Sequence, residues 1–169
     1  MKNKGCSIKS LQISLVKIIS SGFFLGYIPF MPGTFGTMLG VIFFLFLSNF
    51  LGNFLIFGIF LFVLFSIFIA DFSEKNIFKI KDAKEIVIDE ICGIMVAMYG
   101  LRNNLTLIYV LIAFLLFRFF DIIKPFPIKK LQKLNGGVGI VIDDFIAGIY
   151  TYLLIYFFSS LFRLSNATV

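Results

Sequence analysis

Residues 52–70 read GNFLIFGIFLFVLFSIFIA, nineteen residues without a charge. At 1.5 Å of rise per residue such a run makes a helix of about 28 Å, close to the ~30 Å hydrocarbon core of a bilayer. Residues 37–51 (TMLGVIFFLFLSNFL) precede it directly and are as apolar, and SNFLGN offers a tight turn between them. A helical hairpin is expected.

Further apolar segments cover 86–101, 105–120 and 138–162, separated by RNN and by a longer stretch rich in Pro, Gly and Lys. The segments at 86 and 105 are short for full spans. Composition agrees with a membrane protein: of 169 residues 60% are hydrophobic and 25 are phenylalanine, and the mean hydropathy is +1.03. That leaves too little polar surface to cover an ordinary soluble domain. The expected fold class is all-α, a polytopic membrane helical bundle of four to five transmembrane helices plus an N-terminal interfacial helix. Leu11, Leu15, Ile18 and Ile19 share one helical face, which places that interfacial helix at residues 8–20. Three regions follow: an N-terminal segment at 1–20, a single membrane-embedded domain at 21–162 and a tail at 163–169. Lys17 interrupts the first apolar stretch and no small-x-small site follows, so a cleavable signal is not expected. Cys6 and Cys92 have no metal or redox spacing and read as inert thiols.

The net charge of +6 sorts by loop. Lys2, Lys4, Lys9 and Lys17 precede the first crossing; Lys75, Lys79, Lys81 and Lys84 follow the second; Lys124, Lys129, Lys130 and Lys133 follow the fourth. The positive-inside rule makes all three regions cytoplasmic, leaving Arg102 and Arg163 on the other side. The excess therefore reports topology and attraction to anionic headgroups, and no nucleic-acid partner is expected.

The chain has nine carboxylates, and five of them lie in or at the ends of apolar segments: Asp89, Glu90, Asp121, Asp143 and Asp144. At the bilayer centre each would cost about 2.5–3.5 kcal/mol. On the expected topology all five instead fall at one depth, on the cytoplasmic side. Glu90 shares a face with Gly93, and Asp143 and Asp144 share theirs with Ala147 and Gly148, so small residues would let the helices close and the carboxylates converge. Hard oxygen ligands gathered this way suit Mg or Mn, whereas zinc favours the histidine this chain lacks or cysteine. Arg118 and Asp121 are three apart in RFFDIIKPFP, and Lys124 arrives as Pro125 ends the helix. An arginine fork and a lysine beside carboxylates would seat a phosphate oxyanion next to a metal. Gly33 and Thr34, before a helix starting near Thr34 or Thr37, offer backbone N–H groups to an anion, as does NGGVG at 135–139.

Plainer readings stand beside these. The acids could be structural ion pairs with Arg118 or loop lysines, or could snorkel to the interface; PGTFGT could be a turn and cap; the Gly22/Gly26 and Gly36/Gly40 spacings read as packing contacts. Asp71 reads as an interfacial end residue.

Among phosphoryl chemistries, a histidine nucleophile is absent from the chain, and Met98 stands where a cysteine phosphatase following Cys92 would need arginine. No Asp-x-Asp occurs, nor the Asp-x-x-Asp-Gly of CDP-alcohol phosphotransferases. Metal-assisted attack by water or an aspartate nucleophile remains.

Four stretches, PGTFGT (32–37), DAKEIVIDEICG (82–93), RFFDIIKPFPI (118–128) and NGGVGIVIDDFIAG (135–148), resemble the phosphatidylglycerophosphatase A family, in its order and spacing, from about residue 20 to 155. The resemblance implies a bacterial inner-membrane, multi-pass, magnesium-dependent phosphatase that converts phosphatidylglycerophosphate to phosphatidylglycerol and phosphate. Asp82, Asp89, Glu90, Arg118, Asp121, Lys124, Asp143 and Asp144 stand at matching motif positions; Ala83 departs where proline is common. The expected site then has Asp89, Glu90, Asp143 and Asp144 holding Mg at the cytoplasmic face, with Asp121 as a further ligand or the base for water. Arg118, Lys124 and the amides of Gly33 and Thr34 would hold the phosphate. The rival expectation is a small cation transporter or channel subunit that uses the acids as a path. No oligomeric state is implied.

Overall fold

A computed structural model describes the backbone of residues 4–103 and 105–166 and the side chains of residues 10–103 and 105–160. Lys2 and the side chains of Lys4, Cys6, Lys9 and Arg163 lie outside the described residues. Every regular element described is helical. The main ones are α1 (Lys4–Ser20), α2 (Pro32–Leu51), α3 (Leu55–Ser73), α4 (Ile88–Met98), α5 (Leu107–Ile123), α6 (Ile128–Leu131) and α7 (Gly137–Asn166). Two helical stretches, 32–78 and 137–160, are long and apolar enough to cross a membrane.

The first of these stretches folds back on itself. A 3-10 turn at Gly52–Phe54 joins α2 to α3, and Gly52 takes φ 49°, which a residue with a side chain rarely adopts. Beyond the turn the chain retraces its path: the Phe43 and Phe62 rings lie 6.3 Å apart, and the space beside Gly58 is taken by Leu47 and Leu51. The expected hairpin is present. α2 starts earlier than expected, at Pro32, because a proline at the first helical position has its φ already set and lacks only an amide the helix would not use. α1 likewise starts before residue 8, and α7 runs past 162 to Asn166.

α4 is the centre of the bundle. Its eleven residues make about 16 Å of helix, and nine of them, from Ile88 to Met98, are buried. Glycines admit it on both sides. A Cβ on Gly40 would meet the Ile91 backbone at 2.9 Å, and one on Gly36 would meet Val87 Cβ at 2.8 Å, so α2 lies flat on α4. On the other side Gly93 faces α7, where a Cβ would meet the Asp144 carbonyl at 2.6 Å. Small residues at a helix interface allow this approach, and close packing then supplies the attraction. Buried hydroxyls nearby satisfy themselves inside their own helices: Thr37 donates to the Gly33 carbonyl (2.8 Å) and Thr151 to that of Ala147 (2.9 Å).

The start of α7 is tied to the end of α3. The Gly137 amide donates to Asp71 Oδ1 (3.1 Å), while Lys75 holds Oδ2 (2.8 Å). Gly136 takes φ 71° to turn the chain there. A side chain on Gly137 would collide with the Ile67 carbonyl. Asp71 is thus an N-cap supplied from another helix, and the anion site expected at NGGVG is filled by the protein's own carboxylate.

Candidate active site

Asp89 and Glu90 occupy the first turn of α4, where the free amides and helix dipole favour negative charge. The turn is fixed from outside, since the Val87 amide donates to the Ser20 carbonyl (2.9 Å). Asp143 and Asp144 lie two turns into α7, at the level where Gly93 and Gly148 bring the two helices together. Backbone contact at the glycines therefore dictates carboxylate contact one turn away.

Asp89, Glu90 and Asp144 each present an oxygen within 4.8 Å of the others. Asp89 and Asp144 are buried. Asp143, expected as a fourth member, stands beside this trio: its Oδ2 accepts from Lys124 Nζ at 2.5 Å. Lys124 reaches it because it closes α5 in the left-handed conformation (φ 49°), its amide bonded to the Phe120 carbonyl, so the chain turns back toward α7 before Pro125. Burial pushes the Lys124 ammonium toward neutrality, but the hydrogen bond and charge of Asp143, with Asp144 and Asp121 further off, outweigh this and leave its pKa above the usual lysine value.

Arg118 and Asp121 form an ion pair at 2.6 Å, both largely shielded. Gly33 packs into the same place: a Cβ there would meet Glu90 Oε1 and come within 3.0 Å of Arg118 Nη1. The Thr34 amide, expected to serve an anion, donates instead to the Met31 carbonyl (3.0 Å). Its hydroxyl is buried and makes no hydrogen bond among the described residues.

Asp89 Oδ1, Glu90 Oε2, Asp143 Oδ1, Arg118 Nε and Thr34 Oγ1 are all buried and make no hydrogen bond among the described residues. An unmet buried polar atom costs about 1–3 kcal/mol, more when charged. Unmet oxygens on three carboxylates and an unmet arginine N–H fit a divalent cation together with an oxyanion, and hard carboxylate donors suit magnesium. Five carboxylates from α4, α5 and α7 are gathered at one end of the bundle, as the sequence suggested.

Two features escaped the sequence reading. Asp71 and Gly137 are 66 positions apart, and no spacing rule connects them. Asp82, matched by motif only, sits in the loop before α4 with φ 52° and accepts from Gln132 Nε2 (3.2 Å).

A family profile described as Phosphatidylglycerophosphatase A matches residues 18–159. A Haemophilus influenzae protein named phosphatidylglycerophosphatase A is 36% identical over 144 residues, covering 83% of this chain and 86% of that protein. One of the same name from Escherichia coli is 28% identical over 141 residues, covering 83% and 81%. A Bacteroides thetaiotaomicron protein, named as a candidate phosphatidylinositol-3-phosphatase, is 34% identical over 144 residues, covering 82% and 89%. No solved structure matches.

Proposed function

The chain belongs to the phosphatidylglycerophosphatase A family, and from that premise we propose that it is a membrane-embedded lipid phosphatase releasing the terminal phosphate of phosphatidylglycerophosphate to leave phosphatidylglycerol. The observation that carries this reading is the convergent trio Asp89, Glu90 and Asp144 with Arg118 and Lys124 at its edge. Asp89, Glu90 and Asp144, with the second oxygen of Asp143, would hold magnesium. Bound there, the ion supplies charge neutralisation at the phosphoryl group and a more acidic water. Arg118 offers its unmet Nε to a phosphate oxygen, and Lys124 offers its ammonium from the other side. Asp121, already paired with Arg118 at 2.6 Å, is assigned the role of orienting that arginine. Gly33 leaves room for Glu90 and Arg118 to lie side by side.

In this reading the α2–α3 hairpin, α5 and α7 cross the bilayer, α4 stands half-depth among them, and α1 lies in the interface. Support comes from the inverted surface. Phe46, Phe50, Phe54 and Phe68 are exposed while Asp89, Asp143 and Asp144 are buried, an arrangement suited to lipid surroundings. The lysine-bearing loops support a site on the cytoplasmic side of the bacterial inner membrane. A transporter gains no support, because the acids gather at one end of the bundle instead of tracing a path. Phosphatidylglycerophosphate and a phosphatidylinositol phosphate share one pattern, a terminal phosphomonoester set beyond a phosphodiester.

The test is phosphate release by purified protein in detergent micelles, with and without magnesium. Release from phosphatidylglycerophosphate that needs magnesium is expected; no release under either condition refutes the reading.

A further inference from the structure

An open pocket of about 670 Å³ adjoins the acid cluster, lined by Lys81, Lys124, Lys129 and Lys133 against a single carboxylate, Asp82. These lysines come from three segments: the loop before α4, the end of α5, and α6 with the turn after it. Their convergence is therefore tertiary. Two hydrogen bonds across some fifty residues of chain hold the walls together, Lys81 Nζ to the Lys133 carbonyl (3.3 Å) and Gln132 Nε2 to Asp82 (3.2 Å). Lys130 is turned elsewhere, its ammonium over the Phe126 ring, 5.1 Å from the ring centroid.

Lys124 joins this pocket to the acid cluster, since it lines the one and pairs with Asp143 in the other. Four ammonium groups against one carboxylate select an anion. Ile122 and Ile123 make the remaining wall and are exposed beyond it, so the pocket has an apolar flank on the side where acyl chains would lie.

Resting on the function proposed above, we infer that this pocket holds a second phosphate of the substrate, the diester joining headgroup to diacylglycerol, while the acid cluster receives the terminal monoester. A lipid with both phosphates fills both places. Phosphatidic acid has only one, and is selected against for that reason. Lys129 and Lys133 are the specificity-determining residues, because Lys124 also serves Asp143 and Lys81 also braces the wall.

The test measures kcat and KM for phosphatidylglycerophosphate and phosphatidic acid in mixed micelles of fixed composition, for the wild type, Lys129→Gln, Lys133→Gln and the control Lys130→Gln. Each pocket variant is expected to raise KM for the diphosphorylated lipid about tenfold with kcat kept, the scale of one charge-assisted hydrogen bond. Its preference over phosphatidic acid should shrink by a similar factor, and Lys130→Gln should change neither. Equal loss on both lipids, or loss confined to kcat, overturns the inference. Weakened inhibition by inorganic phosphate with KM unchanged also overturns it, since the pocket would then serve released phosphate. A wild type active on both lipids without preference refutes the inference alone; one active on neither refutes the functional reading as well.

Discussion

The carbonyl oxygen of Gly93 occupies the place where a side chain on Gly148 would begin. Helices α4 and α7 therefore touch through backbone, and the spacing between Glu90 and Asp144 is inherited from that contact. Gly148→Ala is expected to force the helices apart, at about 1–3 kcal/mol of stability for the overpacking. Activity should fall further than stability does, by about a hundredfold, because a displacement near 1 Å disrupts a convergent site. Thermal unfolding in detergent and turnover on the same preparation check this; an alanine variant with normal turnover would show that the site does not depend on the glycine contact.

The trio itself gives a second expectation. Asp89→Asn, Glu90→Gln and Asp144→Asn should each remove turnover while leaving an inserted, folded protein, since each exchange keeps the side chain's shape. Magnesium binding only to the folded wild type would add about 2.7 kcal/mol at a hundredfold excess over its Kd, a rise of about 5–10 °C in melting temperature. The three variants should lose that rise together with activity. Turnover that survives both Asp89→Asn and Asp144→Asn sinks the assignment.

Lys124 and Asp143 are a pair across the gap between α5 and α7, with Asp143 the more deeply buried partner. Lys124→Ala would leave a buried carboxylate without its counter-charge, at a cost of about 3 kcal/mol. Lys124→Ala with Asp143→Asn should recover much of this stability, because no unpaired charge remains. Activity should not recover, since the ammonium assigned to the phosphate is still missing. Melting temperatures for the two single variants and the double variant give the coupling; additive losses would mean the two side chains do not depend on each other.

How much of this was legible in the sequence follows from the range of the interactions. The α2–α3 hairpin could be read because its cause is local, an uncharged run broken by Gly52. The meeting of α4 and α7 could be read because Gly93 follows Glu90 by three positions and Gly148 follows Asp144 by four, so acid and small residue mark the same face. Asp143 could be read as one of the gathered acids, but its pairing with Lys124 could not, because nothing in the spacing shows that Lys124 turns back in a left-handed conformation. The lysines at 81, 129 and 133 were read as a topological signal. Charge counting cannot show that three loops fold them into one pocket.

Asp71 is the residue whose role was least visible, and its test separates structure from chemistry. It caps α7 by accepting the Gly137 amide, from the end of a different helix. Removing an N-cap carboxylate costs about 1 kcal/mol, and here it also unfastens α7 from α3. Asp71→Asn keeps an acceptor oxygen for the amide and should retain most of the stability, whereas Asp71→Ala should lose about that amount. Neither variant removes a group from the acid cluster, so KM and kcat for the lipid should stay within about twofold wherever the protein remains folded. Thermal unfolding of both variants beside their kinetic constants decides the matter. A large kcat loss in Asp71→Asn, with stability intact, would mean that Asp71 belongs to the reaction and not only to the frame that holds it.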